Sequence, residues 1–101
     1  MLLGPGPNGY DIKIEDAAQL VVDQFLNEYP SSRFWWHGFL DLLRTSGNII
    51  GQKIHFRGRG HRLVSFAPEP SGLWPGIDLI YVIIADEVTI DFVALNIRTE
   101  E

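Results

Sequence analysis

Ile77 to Ile97 reads IDLIYVIIADEVTIDFVALNI, and this stretch decides the fold. It splits at Ala85-Asp86-Glu87-Val88. Before the split, Ile77, Leu79, Tyr81 and Ile83 alternate with Asp78, Ile80, Val82 and Ile84. That is a strand apolar on both faces and rich in β-branched and aromatic residues. Beyond it, Val88, Ile90, Phe92 and Ala94 alternate with Thr89, Asp91, Val93 and Leu95. A two-residue turn at Asp86-Glu87 predicts a hairpin pairing Ile83 with Ile90, Tyr81 with Phe92 and Leu79 with Ala94. Those six side chains form the predicted core face. The reverse face carries Ile80, Val82, Ile84, Val93, Leu95 and Ile97, which is too apolar for open water. A loop, a second subunit or a ligand should cover it.

A chain of 101 residues has material for one core. With 46% hydrophobic and 21% charged residues, its composition is that of an ordinary globular protein. No run approaches the ~20 apolar residues that span a bilayer, and Met1-Leu2-Leu3 is too short for a signal peptide. Absence of cysteine excludes disulfides, thiolate metal sites and a cysteine nucleophile. The expectation is a cytoplasmic protein with a flexible leader over 1–9, one domain over 10–98 and a frayed acidic tail over 99–101.

Tyr10 to Glu15 alternates strictly and predicts an edge strand with Tyr10, Ile12 and Ile14 on its inner side. Asp16 is placed to cap a helix in which Ala17, Ala18, Val21, Val22, Phe25, Leu26 and Tyr29 share one stripe, and Pro30 ends it. Ser31 or Ser32 caps a second helix bearing Phe34, Trp35, Trp36, Phe39, Leu40, Leu42 and Leu43, closed at Gly47. The Trp35-Trp36 pair reads as one core ring and one partly exposed ring. Gly38, which costs about 1 kcal/mol relative to alanine in a helix, predicts a close approach by another element.

From Gly51 the period becomes two. Ile54, Phe56, Val64 and Phe66 fall on even positions, and Lys53, His55, Arg57, Arg59 and His61 on odd ones. Gly58-Arg59-Gly60 makes either a tight loop, with Arg57 opposite His61, or a bend in one long strand. Either way one face packs inward and the other gathers cations and imidazoles. The loop Ala67 to Gly76, APEPSGLWPG, is expected to fold Leu73 and Trp74 back as a plug over the apolar sheet face. Strand, two helices and four further strands give an α+β fold: a twisted antiparallel sheet of about five strands with two N-terminal helices packed on one face.

Net charge is −5, which argues against wholesale nucleic-acid binding. Lys53, Arg57, Arg59 and Arg62 nevertheless lie together with no acid among them, leaving −9 on the rest of the chain. Such a segment suits local contact with an anion. The catalytic candidates are His55 and His61 for proton transfer, with Lys53 and Arg57 on a phosphate. The binding candidates are Arg59, Arg62, Trp74 and Tyr81. The bland alternative is a solvated basic strand that blunts an exposed sheet. Histidines at 37, 55 and 61 show no metal-ligand spacing, and no cofactor motif is present.

The opening strand, the helical pair, the basic strands carrying Lys53, Arg57 and Arg62, and the LIYVI…VTIDFVALN ending together resemble the RelE/ParE toxin superfamily. The resemblance covers roughly Tyr10 to Ile97. It implies a toxin of a bacterial toxin–antitoxin pair, with an antitoxin as protein partner and RNA as the target of its nuclease members. Four departures stand beside it. Asp78 occupies a place usually held by arginine, and the loop over 67–76 is longer. The C-terminus carries no catalytic residue of the nuclease members, and the chain is acidic. A toxin without nuclease activity is therefore within the expectation. The residues leave two other readings open: a homodimer joined through the apolar sheet face, and a roll enclosing an apolar ligand between Trp35, Trp36, Tyr81 and Trp74.

Overall fold

The computed structural model describes residues 9–96. The leader before Gly9, Ile97 and the acidic tail lie outside the described residues. Strand β1 (Asp11–Ile14) is followed by helix α1 (Asp16–Glu28), a 3-10 turn (Pro30–Ser32) and helix α2 (Arg33–Ser46). Strands β2 (Gln52–Phe56), β3 (Arg59–Phe66), β4 (Gly76–Ile84) and β5 (Glu87–Asn96) complete the chain. Two helices and one five-stranded sheet make the fold α+β, with strand order β1-β5-β4-β3-β2. Neighbours from β2 to β5 run antiparallel, whereas β1 joins beside β5 in parallel, so the sheet is mixed.

In α1 the buried residues Ala18, Val22 and Phe25 recur at helical spacing, and α2 buries Trp36, Phe39 and Leu43. Phe66 of β3 meets the rings of Trp35 and Phe39 edge-on at 4.9 and 5.0 Å. These residues share one core with Leu79, Tyr81, Val88 and Ile90 of the sheet. Three local expectations are corrected. Asp16 lies inside the first turn and Glu15 holds the cap position, with no side-chain cap. Ser32 does hold the N-cap position of α2, but its hydroxyl donates backward to the Tyr29 carbonyl at 2.7 Å and makes no capping bond. Gly38 faces open space, and no other element comes close.

The C-terminal hairpin turns one residue earlier than its sequence suggests, at Ala85-Asp86, and pairs Ile84 with Glu87, Ile83 with Val88 and Tyr81 with Ile90. A β-bulge then leaves Asp91 without a partner, after which Ile80 pairs with Phe92 and Leu79 with Val93. One extra residue exchanges the two faces of everything beyond it. Val93 and Leu95 therefore turn toward the helices, while Phe92 and Ala94 turn outward, the reverse of the expected assignment.

The β2–β3 hairpin turns on Arg57 and Gly58, with φ of 54° and 81°, the paired left-handed conformations of a type I′ turn. Phe56 pairs with Arg59, Ile54 with His61, His55 with Gly60 and Lys53 with Arg62. Arg57 does not lie opposite His61. Because the turn has two residues, odd positions of β2 share a face with even positions of β3. Lys53, His55, Arg62, Val64 and Phe66 accordingly lie on the helix side, and Ile54, Phe56, Arg59, His61 and Leu63 on the outer side. The single cation-and-imidazole face expected from the sequence is split in two. Trp74 does fold back, but onto Trp35 at 6.2 Å, and Leu73 stays exposed. That plug sits at the helix side, and the outer face keeps no cover from it.

Candidate functional site

Helix α1 packs on β5 and α2 meets β1, at the opposite edge of the sheet from β2. The helix-side surface of β2 and of the start of β3 is thereby left open. A cleft of about 490 Å³ forms there, lined by Lys53, His55, Arg62, Asn48, Tyr10 and Ile83 among others. Among the described residues no carboxylate lines it. Lys53 and His55 are exposed, and Arg62 is half-buried.

Arg62 is fixed from behind. Its Nε–H donates to the Ile50 carbonyl at 2.6 Å, and an Nη2 hydrogen points to the Gly51 carbonyl at 3.4 Å. The buried Tyr81 hydroxyl lies 2.8 Å from the Gly47 carbonyl and 3.2 Å from that of Ile50. Burial raises the Tyr81 hydroxyl above its ordinary value of 10.0, with the Arg62 guanidinium pulling the other way. The phenol therefore keeps its proton as the donor in this contact. Together Tyr81 and Arg62 clamp the loop 47–51 onto the sheet and bring Asn48 to the rim of the cleft.

Of the residues singled out from the sequence, Lys53, His55 and Arg62 are brought together. Arg57 sits in the hairpin turn with its guanidinium 4.7 Å over the Phe56 ring. Arg59 projects from the outer face. Tyr81 is sealed in the core and acts on the cleft only through the loop it holds. Trp74 edges a separate apolar recess of about 310 Å³ with Trp35, Phe66 and Pro68, while Trp36 and Tyr81 are packed away from it.

His61 borders the cleft, yet its ring is turned away and spent. Its Nε2 lies 2.6 Å from Asp91 Oδ2 and its Nδ1 3.1 Å from the Arg59 carbonyl oxygen. The Phe56 ring stands 5.2 Å from the imidazole, and Phe92 lies 6.0 Å from Phe56. His55 and His61 therefore face opposite sides of the sheet and form no joint acid–base pair. Sequence reasoning missed Asn48 and Tyr10 at the cleft and Asp91 as the partner of His61. Only Asp91 carried a signal, as an acid interrupting an otherwise apolar strand.

Among the described residues no group of three or more histidines, cysteines or acids is placed to hold a metal ion. No helix among them is long and apolar enough to cross a membrane. Compared with protein-family models, curated proteins and solved structures, the chain matches none.

Proposed function

We propose that the protein is a RelE/ParE-like toxin whose cleft at Lys53, His55 and Arg62 grips the phosphate backbone of an RNA in the cytoplasm, and that an antitoxin neutralises it. One observation carries this reading. A chain of net charge −5 directs two cations, Arg62 held in place and Lys53 movable, and an exposed imidazole into one cleft with no carboxylate among the described residues that line it. Local charge of one sign in a concave site raises the concentration of the opposite sign there. Lys53 supplies a movable point charge. Arg62, with Nε engaged by the Ile50 carbonyl, offers a pre-oriented guanidinium edge. A single exposed imidazole serves one proton transfer, where attack by a ribose 2′-hydroxyl asks for a base and an acid. Binding of the backbone, with His55 as the one proton-transfer group, is the activity these residues support.

The test is induced expression in a bacterial host together with RNA binding at several salt concentrations. Growth arrest that is abolished by Lys53→Glu, together with binding that weakens steeply with salt, supports the reading. A chain that leaves growth unaffected and binds no RNA at low salt overturns it.

A further inference from the structure

The outer face of the sheet, opposite the helices and the cleft, has no cover among the described residues. From the hairpin ends downward it presents Phe56, Arg59, Ile84 and Glu87, then Ile54, His61, Val82 and Thr89. Leu63, Ile80 and Phe92 follow, and then Ser65, Asp78 and Ala94. Ile84 is 50% exposed and Phe92 39%, large apolar groups left in water, while Ile80, His61 and Thr89 between them are buried. Among the described residues Arg59 has no ionic partner, and Asp78 keeps one carboxylate oxygen buried without a hydrogen-bond partner. A buried carboxylate oxygen left unpaired carries a desolvation cost that a neighbouring cation relieves.

We infer that this face is covered by a second copy of the same chain, stacked so that Arg59 of each copy meets Asp78 of the other. The arrangement follows from the row order. A two-fold axis running across the strands between the levels of Val82 and Ile80 lays the top row of one sheet over the Ser65–Asp78 row of its partner. The same step applied in reverse makes the second identical pair, as a two-fold interface requires. Glu87, also in the top row, falls over Ala94 and away from the acid. Val82, Ile80 and Phe92 fill the middle of the stack, as inner-face side chains do in a β-sandwich, while Ile84 lies over Asp78 and Arg59 over Ser65, one strand spacing from the Asp78 that its long side chain reaches. Four strands of 5, 8, 9 and 10 residues, rising about 3.3 Å per residue and about 4.8 Å apart, present roughly 500 Å² in plan before side-chain corrugation. Standard interfaces bury about 800 Å² per partner, so the face is of the right order for a reversible dimer. The cleft stays open in this assembly, and the inference stands independently of what the cleft binds.

The experiment is sedimentation equilibrium on the full chain across a concentration series, with Arg59→Glu, Asp78→Lys and their combination beside it. The expected result is reversible assembly to twice the 11.4 kDa chain mass. Each single charge reversal should weaken self-association at least tenfold, and the double reversal should restore it. Arg59 is exposed, so circular dichroism should show its variant folded. As a second reading, Arg59→Cys with Ser65→Cys, in a chain free of other cysteines, should cross-link between copies on oxidation. A monomer at every concentration overturns the inference. So does a dimer indifferent to Arg59→Glu, or one rescued by Glu87→Lys in place of Asp78→Lys.

Discussion

His61 of β3 reaches over β4 to Asp91 of β5, with Nε2 and Oδ2 2.6 Å apart. Its other ring nitrogen also meets an acceptor, the Arg59 carbonyl oxygen at 3.1 Å. A carbonyl oxygen can only accept, so Nδ1 carries the proton of that contact. The imidazole side chain is 1% exposed, so taking away either member leaves a polar group stranded beneath Phe56. His61→Ala and Asp91→Ala should each lower stability by about 3 kcal/mol. The double change to leucine should cost less than either single change, since it strands nothing. Denaturant midpoints measure all three. Single variants within about 0.5 kcal/mol of wild type would show a pair solvated like any surface contact.

Gly51 closes the loop that Arg62 and Tyr81 hold. Its φ is 78°, and a Cβ there would stand 2.7 Å from the Leu63 carbonyl oxygen and 2.8 Å from Val64 Cγ2. Backbone on one side cannot give way, and left-handed conformation adds its own cost. Gly51→Ala should therefore destabilise by about 2–4 kcal/mol. Gly58 shares the positive φ but has open space around it, so Gly58→Ala should cost only about 1 kcal/mol. Urea unfolding of the two variants separates the clash from the backbone term, and equal losses would refute the close approach.

The elements were legible because their periodicities are strong. The stripe of Ala18, Val22 and Phe25, the alternation of Ile12 and Ile14, and the apolar run from Ile77 each admit one structure. Register was not legible, because it turns on single residues. Ala85 takes φ of 57° at the hairpin turn, a place where sequence preference favours glycine or asparagine. At the bulge the Asp91 carboxylate meets His61, a partner thirty residues away that no local pattern reveals. The basic segment was visible as composition, but its division into Lys53, His55 and Arg62 on one face and Arg59 and His61 on the other depends on the two-residue turn at Arg57-Gly58. Asn48 reaches the cleft only through the tertiary contacts of Tyr81 and Arg62 with its loop.

Glu69 organises the loop between β3 and β4. Its carboxylate accepts hydrogen bonds from the Leu73 N–H at 3.0 Å, the Ser71 N–H at 2.8 Å and the Ser71 hydroxyl at 2.9 Å. The Leu73 N–H bond is the main reason its pKa falls below the ordinary 4.5, followed by the Ser71 contacts, against some opposing desolvation. A carboxylate lowered on folding stabilises the loop fully above its unfolded value, and that contribution is lost as pH falls through the lower folded value. The Glu69 N–H also donates to the Trp74 carbonyl at 3.0 Å. The Trp74 indole resonance should therefore hold its position down to pH 4.5 and shift only below it. Glu69→Ala should show the shifted position at neutral pH. A resonance that titrates above pH 4.5, or one unchanged in Glu69→Ala, contradicts this account.

Tyr81 offers a way to separate holding the cleft from charging it. Tyr81→Phe keeps the buried ring and deletes only the hydroxyl, so the Gly47 carbonyl loses its side-chain donor while that of Ile50 retains Arg62. The expected loss of stability is about 1–2 kcal/mol. If the cleft binds a polyanion, loosening the loop that carries Asn48 should weaken binding several-fold without changing its salt dependence, because no ion pair is removed. Lys53→Ala should do the opposite, reducing the slope of log affinity against log salt by about one. Titrations of both variants against a short RNA at four salt concentrations distinguish the two effects. A Tyr81→Phe protein that is less stable yet binds as wild type would confine the clamp to folding, and an unchanged slope for Lys53→Ala would remove that lysine from the contact.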